Sequence, residues 1–223
     1  MLKFSLFRIP VTVQWWFLLL AAFIGGGMDA QTPEAIKGVL LFMVAVFISI
    51  LIHELGHALT GLKMGAPRTS IELHGMGGLA RFPNARFNRK QSILTTAAGP
   101  GASLFLAFFA HALIGVLSQN MSDSEIHNSP VVEFLLIVKR INIFWSIVNL
   151  FPVLPLDGGQ ILRDLLGPRH YKLTATISLV TLVILAALLW LLTQSIFNMV
   201  IMALLAQQNW AVYKANQQNP PAV

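Results

Sequence analysis

Two histidines and a glutamate stand close together in the sequence, and their spacing suits metal chemistry. His53 and His57 are four residues apart within the segment His53-Glu54-Leu55-Gly56-His57. Residues at this spacing share one face of a helix, so both imidazoles can bind one zinc ion. Glu54 follows the first histidine, where its carboxylate can take a proton from a water molecule and pass it to a leaving amine. The segment therefore predicts zinc-dependent hydrolysis with Glu54 as general base.

A catalytic zinc ion usually has three protein ligands and one open position, so a third ligand must come from elsewhere in the chain. The chain has no cysteine, which excludes thiolate ligands, disulfides and a cysteine nucleophile. The best candidate is Asp157, which follows Pro152 and Pro155 and precedes two glycines. Because prolines break helices, we predict a helix that ends after Phe151 and opens to present Asp157.

The composition places these residues in a membrane protein. Hydrophobic residues make up 56% of the 223-residue chain and charged residues 11%, against about 25% charged residues in typical soluble domains. The mean hydropathy is +0.70. The net charge of +6 is carried by basic residues at the ends of apolar segments, which favours an anionic membrane surface. We therefore predict contact with the lipid bilayer and no nucleic-acid partner, and the composition excludes a soluble metalloprotease with the same motif.

Apolar segments of roughly 20 residues, long enough to cross a bilayer, must position these side chains. The predicted fold is an all-α polytopic membrane protein with about six transmembrane helices. The predicted spans cover residues 11–27, 37–62, 92–118, 131–151, 173–192 and 194–212. The ionisable side chains of the zinc motif fall inside the second span, where they are costly and by default functional. The unwound backbone before Asp157 is tolerated at membrane depth only where it is buried in protein or lines a wet cavity.

The connection between the second and third spans, residues 67–90, has a pattern of its own. Its apolar residues alternate loosely with polar ones around a glycine-rich turn: Ile71, Leu73, Leu79 and Phe82. We predict a short β-like or re-entrant segment after the second span, and its edge could pair with an extended peptide. A solvated interfacial loop is the open alternative.

The basic residues also predict an orientation. With the N-terminus in the cytoplasm, twelve of the fifteen Lys and Arg residues face the cytoplasm, which is the bias that sets topology. We therefore expect a multi-pass protein of the cytoplasmic membrane, with both termini and the active-site opening toward the cytoplasm. Residues 1–213 form the predicted six-helix core, and residues 214–223 form a predicted disordered C-terminal tail.

Three further ionisable residues fall inside predicted spans. Lys139 and Arg140 lie in the fourth span, and we expect them to snorkel toward the outer interface or to face a cavity. His111 lies in the third span, where it either faces the site or packs against a polar partner on another helix.

These features resemble the site-2 protease family of intramembrane zinc metalloproteases. The matching residues are His53, Glu54 and His57 on the second span and the stretch Asn149-x-x-Pro152-x-x-Pro155-x-Asp157-Gly158 after the fourth. The resemblance implies one zinc ion per chain, held by His53, His57 and Asp157. It makes Glu54 the general base, and it gives Asn149 a role in holding the substrate or stabilising the oxyanion, as an amide donor can.

The resemblance extends to the pair Gly99-Pro100, which opens the third span in this family. The family often has an asparagine shortly afterwards, where this chain has Ser103, so the resemblance assigns that residue no role. PDZ and CBS regulatory domains, which the family often carries, are not apparent, and we expect a minimal catalytic core. The implied partners are single-span membrane-protein substrates or signal-peptide remnants, cleaved within the bilayer in regulated intramembrane proteolysis, with any regulatory membrane partner unknown.

Two other interpretations use the same residues. The first is a metal- or proton-coupled transporter in which the zinc ligands form a transport site. Transporters often show paired halves with corresponding broken helices, and the helix that carries His53 and His57 is not repeated. The second is a non-catalytic membrane scaffold, which has no use for the base Glu54. The favoured interpretation is therefore a zinc metalloendopeptidase.

Overall fold

The computed structural model describes residues 1–75, 77–119 and 121–218. The elements in chain order are β1 Leu2–Leu6, β2 Ile9–Val13, α1 Trp15–Ile24, α2 Pro33–Lys63, β3 Ser70–His74, β4 Gly77–Arg81, α3 Arg89–Ser118, α4 Asp123–Asn128, α5 Pro130–Asn149, α6 Asp157–Leu166, α7 Tyr171–Thr193 and α8 Ile196–Gln218. A 3-10 turn, Pro168–His170, precedes α7. The fold is therefore mostly helical, as predicted, with a small sheet added.

Within the described ranges, three helical segments are long and apolar enough to cross a membrane: α2, α3 and the segment Pro168–Thr193 that contains α7. They correspond to the predicted second, third and fifth spans. The 20-residue helix α5 carries three charged side chains, Glu133, Lys139 and Arg140, and α8 is interrupted by glutamine and asparagine residues. These charges exclude α5 from the three segments, and α8 is not among them either, so a count of six spans is not confirmed.

The first predicted span is corrected by the structure. Residues 11–13, predicted to begin a membrane helix, form the end of β2, and α1 has only ten residues. The reason is visible in β2, where Ile9, Val11 and Val13 are buried and alternate with less buried residues. This alternation of β-branched residues is a strand pattern. A ten-residue helix is about 15 Å long, half the thickness of the hydrocarbon core.

The four strands form one sheet in the order β1-β2-β3-β4. β1 and β2 are antiparallel, β2 and β3 are parallel, and β3 and β4 form an antiparallel hairpin. This hairpin is the β-like segment predicted after the second span, and Leu73 lies opposite Gly78 within it. Among the described residues β4 has a strand on one side only, so it is an edge strand with unpaired backbone groups.

The chain divides into two compact units. The first comprises Met1–Phe87 and Ala98–Ser146, and the second comprises Asn88–Ala97 and the residues from Ile147 onward. In the first unit, the buried face of the sheet packs on the C-terminal half of α2. The residues of this core are Ile9, Val11, Val13, Phe17, Ile50, Leu51, Leu55, Ala58, Ile71 and Leu73. The sheet therefore holds the part of α2 that carries the zinc motif.

Helices α2, α3 and α5 also pack on one another within the first unit. A second apolar cluster joins them through Ala45, Ala110, Leu135 and Val138. Close by on α5, the amide of Asn142 donates a hydrogen bond of 2.7 Å to the Ser49 hydroxyl on α2, and both side chains are buried. Polar pairs of this kind hold helices together where no water competes.

The second unit contains the start of α3, the end of α5, and α6, α7 and α8. The predicted helix break lies here, because α5 ends at Asn149 and α6 begins at Asp157. Helix α8 continues to Gln218, so residues 214–218 of the predicted tail are helical, and residues 219–223 lie outside the described part of the chain.

Candidate metal site and catalytic residues

The zinc motif lies in the last third of α2, a regular helix of 31 residues. The helix begins with Pro33 after Thr32, whose hydroxyl accepts a hydrogen bond from the Ala35 amide; both are favourable at a helix start. His53, Glu54 and His57 are all buried. Burying three ionisable groups in an apolar helix is unfavourable unless they have partners, which is typical of a functional site.

The two imidazoles converge, as their spacing predicts. The Nε2 atoms of His53 and His57 are 3.1 Å apart, and the rings are inclined at 81°. A tetrahedral zinc ion bound at 2.0–2.1 Å holds two nitrogen ligands about 3.3 Å apart, so this donor pair fits one zinc ion. One donor atom from each of His53, Glu54 and His57 lies within 4.8 Å of the others. The structure thus brings these three predicted residues together in one cluster.

Ser103 on α3 orients the first imidazole. Its hydroxyl oxygen is 3.1 Å from Nδ1 of His53, and the residue is completely buried. Since Nδ1 is engaged with this hydroxyl, Nε2 is the nitrogen directed toward His57. Metal-binding histidines usually hold their second nitrogen in this way, which fixes the tautomer and the ring orientation. Ser103, to which the resemblance gave no role, therefore contacts the candidate metal site.

Small residues on α3 let the helix approach the motif. A Cβ atom at Gly99 would overlap the His57 imidazole, and a Cβ atom at Gly56 would overlap the backbone of Ala98. Contrary to the expectation that Gly99-Pro100 opens the third span, α3 begins ten residues earlier at Arg89 and continues through Pro100. Because Gly99 has no side chain, it leaves the space into which the His57 ring packs.

The β3–β4 hairpin covers Glu54. A Cβ atom at Gly78 would overlap the Glu54 carboxylate, so only glycine leaves room for the base in its present position. Gly77, the first residue of β4, lies against α5, where Trp145 is 3.0 Å from the Cβ position of Gly77. The edge strand β4 therefore lies beside the predicted general base.

Asn149 and Asp157 lie at the two ends of the segment that joins α5 to α6, in the second unit. Asn149 is the last residue of α5 and Asp157 the first residue of α6, and both are buried. At the start of a helix, the free backbone N–H groups favour a negative charge, which suits an ionised ligand. That these two residues complete the site with His53 and His57 stays a prediction.

The two glycines after Asp157 have a local structural reason. A Cβ atom at Gly158 would overlap the carbonyl groups of Leu150 and Phe151, and one at Gly159 would overlap the backbone at Val153 and Leu154. The first turn of α6 therefore packs directly on the backbone of the preceding loop.

Two other pairs of ionisable groups lie away from the motif. Lys139 Nζ donates to Nδ1 of His111 over 3.2 Å, which is the polar partner expected for a histidine in the third span. In the sheet, Arg81 donates to the Glu72 carboxylate at 2.9 Å. Hydrogen bonds from Arg81 and then from Gln14 lower the pKa of Glu72 below its ordinary value.

Three contacts of the site were not predicted from the sequence: those of Ser103, Gly99 and Gly78. Little in the sequence indicates these contacts, because each residue is separated from its partner by 24 to 50 positions along the chain. The run of small residues around Gly99 was the one local indication that another chain segment approaches closely.

The chain is similar in sequence to known zinc metalloproteases, which is consistent with the candidate metal site. The sequence model of Peptidase family M50 matches residues 113–192, a range that includes Asn149 and Asp157. The protein sll0528 of Synechocystis sp., which carries a zinc metalloprotease name, is 31% identical over 72% of this chain. Zinc metalloprotease MJ0392 of Methanocaldococcus jannaschii is 27% identical over 78% of this chain. The chain spans about half the length of these relatives, 42% and 47% respectively.

A solved structure shares the fold. The site-2 protease from Methanocaldococcus jannaschii aligns with a TM-score of 0.59 and 24% sequence identity, over 100% of this chain and 96% of that one. The three segments that are long and apolar enough to cross a membrane support an integral membrane protein. The residues of the buried cluster suit zinc, the metal in the names of the relatives. The predicted resemblance is thus confirmed: the chain is similar to Peptidase family M50 over residues 113–192 and shares the fold of a site-2 protease.

Proposed function

We propose that this chain is an intramembrane zinc metalloprotease, an endopeptidase that cuts membrane-protein substrates within or near their transmembrane segments. The observation that carries this proposal is the buried cluster of His53, Glu54 and His57 on α2, a helix apolar enough to lie in a membrane. The names of the zinc metalloprotease relatives support the same activity.

The proposed ligands of the zinc ion are His53, His57 and Asp157. When bound, the metal supplies an activated water molecule and polarises the scissile carbonyl. Glu54 accepts the proton of the attacking water and passes it to the leaving amine. Burial of Glu54 beneath the hairpin keeps bulk water away from this proton transfer. Asn149 acts as an amide donor that holds the substrate or the developing oxyanion.

The proposed substrates are single-span membrane proteins or signal-peptide remnants. A transmembrane helix must unwind before attack, because its carbonyl groups are hydrogen-bonded within the helix. The edge strand β4 is suited to receive the unwound segment, since its free backbone groups can pair with an extended peptide. Its Gly78 contacts Glu54, so a peptide paired with this edge would lie close to the base.

The membrane arrangement belongs to the same proposal. We infer that α2, α3 and the segment Pro168–Thr193 cross the cytoplasmic membrane, with the N-terminus and the site opening on the cytoplasmic side, as the distribution of basic residues indicates. Residues 1–213 are the proposed membrane-embedded protease core.

The direct test is cleavage of a model single-span substrate by the purified protein in detergent, with and without a zinc chelator. Chelation should abolish cleavage within the span. Glu54→Gln should retain one zinc ion per chain and lose roughly 10²–10⁴-fold in rate, the usual contribution of a general base. Glu34→Gln, the same change in the first turn of the same helix, is the matched control and should cleave normally.

Substantial cleavage by Glu54→Gln would contradict the role of the base. Absence of cleavage by the wild-type protein with one bound zinc ion, together with zinc uptake into reconstituted vesicles, would favour the transporter interpretation instead.

A further inference from the structure

The loop that leads to Asp157 cannot pair all of its backbone N–H and C=O groups within itself. This segment, residues 150–156, is called here the proline loop. It contains Pro152 and Pro155, which have no backbone N–H to donate, and its internal hydrogen bonds use the carbonyl groups of Phe151 and Val153. Val153 and Leu154 are buried, so an unpaired backbone group at these positions would be costly. The backbone groups of Pro152 and Leu154 find their partners on two later helices.

Ser178 on α7 forms hydrogen bonds to the backbone on both sides of Val153. Its hydroxyl donates to the Pro152 carbonyl at 3.0 Å and accepts from the Leu154 N–H at 3.2 Å. Ser178 is completely buried, so water does not compete for either bond. One hydroxyl group thus fixes the backbone on both sides of a single residue.

Asn209 on α8 holds the next carbonyl. Its amide nitrogen donates to the Leu154 carbonyl at 2.6 Å and to the Leu205 carbonyl of its own helix at 2.8 Å. Asn209 is completely buried, and its Oδ1 atom has no hydrogen-bond partner among the described residues. Among the described residues, its hydrogen bond outside α8 goes to the loop.

The held residues are coupled directly to Asp157. Leu154 precedes Asp157 by three residues, and the first turn of α6 packs on the loop backbone, with Gly159 against Val153 and Leu154. A shift of the loop would therefore displace the first turn of α6 and the carboxylate that it carries.

We propose that Ser178 and Asn209 are positioning residues that hold the proline loop and thereby set the position of the Asp157 carboxylate for zinc binding. This inference rests on the proposed function, in which Asp157 is the third zinc ligand. It also gives α7 and α8 a role in holding Asp157, the proposed third ligand. Loss of a residue that orients a metal ligand typically weakens metal binding by roughly 10–100-fold. We expect the same effect on zinc binding when either side chain is removed.

The test measures zinc affinity by competition with a chelator, and thermal unfolding of the metal-free protein, both in detergent. Ser178→Ala and Asn209→Leu should each bind zinc 10–100-fold more weakly. Ser178→Thr, which keeps the hydroxyl, should restore affinity. Thr174→Val is the matched control, because Thr174 is equally buried one turn earlier on α7 and its hydroxyl donates to the His170 carbonyl, just before the same helix. This control should bind zinc like the wild type.

Asp157→Ala separates the two proposals. If its zinc affinity equals that of the wild type, the assignment of the third ligand fails. If Asp157→Ala binds zinc weakly but Ser178→Ala and Asn209→Leu bind zinc normally, Asp157 is still the third ligand. The positioning role of Ser178 and Asn209 is then overturned. Weaker zinc binding that Ser178→Thr does not restore, or that Thr174→Val shares, would also overturn it. Should Asn209→Leu fail to fold, the Ser178 pair decides alone.

Discussion

The zinc motif on α2 and the proline loop are built in opposite ways. His53 and His57 stand on a regular helix, where backbone hydrogen bonds within the helix set their spacing. Asp157 follows a segment without regular structure, whose backbone depends on side chains of α7 and α8. Both regions use glycine for close approach, but for different purposes. Gly99 and Gly78 make room for functional side chains, whereas Gly158 and Gly159 make room for backbone.

This difference predicts different consequences of mutation. A side chain can turn away from an added methyl group, so crowding near α2 should damage the site and leave the fold intact. Backbone cannot turn away without moving its neighbours, so crowding near the proline loop should reduce stability itself. Matched glycine and polar variants in the two regions test this distinction.

The largest effect is expected for Gly158→Ala. The new methyl group would overlap the Leu150 and Phe151 carbonyl groups, and overpacking of this kind costs about 1–3 kcal/mol. Thermal unfolding of the metal-free protein should show the loss. Gly38→Ala on α2, where a Cβ atom meets open space, is the control and should be neutral or stabilising. An unchanged unfolding temperature in Gly158→Ala would show that the loop backbone can move aside.

Gly99→Ala should instead weaken zinc binding. Its methyl group would overlap the His57 imidazole, and a displaced ring cannot meet the zinc ion, so we expect an affinity loss on the order of 100-fold with little change in metal-free stability. Chelator competition measures the affinity. Gly101→Ala, two residues away in the same helix with no neighbour within 4 Å of its Cβ position, should bind zinc normally. Equal affinities of the two variants would contradict the proposed packing role of Gly99.

Gly78→Ala should reduce cleavage while zinc stays bound. The methyl group displaces the Glu54 carboxylate, and a misplacement of about 1 Å can cost 10²-fold in rate. Single-turnover cleavage and zinc content, measured on the same sample, separate the two properties. Gly75→Ala in the same hairpin turn, whose Cβ position is an ordinary 3.6 Å from Trp16, should cleave normally. Loss of zinc from Gly78→Ala would mean that the hairpin supports the metal ligands rather than the base.

Ser103→Ala should have a smaller effect on the same site. It removes the hydroxyl that holds His53 Nδ1, and we expect zinc affinity to fall by roughly 10-fold. Ser118→Ala, at the exposed end of the same helix, is the control. If Ser103→Ala bound zinc as tightly as this control, the orientation of His53 would have to come from helix packing alone.

The smallest effect is expected on the sheet. Because the pKa of Glu72 is lowered in the fold, its ion pair with Arg81 stabilises the protein above the ordinary glutamate pKa, and this contribution is lost as pH falls through the lowered value. Arg81→Gln should cost about 0.5 kcal/mol at neutral pH, and this cost should fall at an acidic pH below the lowered pKa of Glu72. Unfolding temperatures at both pH values, compared with Arg86→Gln, measure this. A cost that persists at acidic pH would point to packing of the arginine stem instead.

The sequence predicted the features that depend on near neighbours in the chain. The spacing of His53 and His57 fixes a shared helix face because the α-helix repeats every 3.6 residues. The prolines before Asp157 predicted the break between α5 and α6, because the missing N–H groups act locally. The apolar alternation around the glycine-rich turn predicted the β3–β4 hairpin for the same reason.

Where the prediction was wrong, distant residues decided the outcome. Residues 11–13 were assigned to a membrane helix, but they pair with residues 71–73 in a parallel arrangement. These two segments are 60 positions apart, and the only sign of their pairing in the sequence is that each can form a strand. A short apolar run of this kind can equally be part of a buried helix, so it does not predict the pairing.

Residue type and helical spacing are local properties, so they were enough to identify the residues that can bind zinc and act as a base. The contacts that hold these residues appear only in the folded chain: Ser103 behind His53, Gly99 beside His57, Gly78 over Glu54, and Ser178 with Asn209 on the proline loop. The physical reason is that buried hydrogen bonds and close contacts act over a few ångströms in space, and chain folding alone sets which distant residues come within that range.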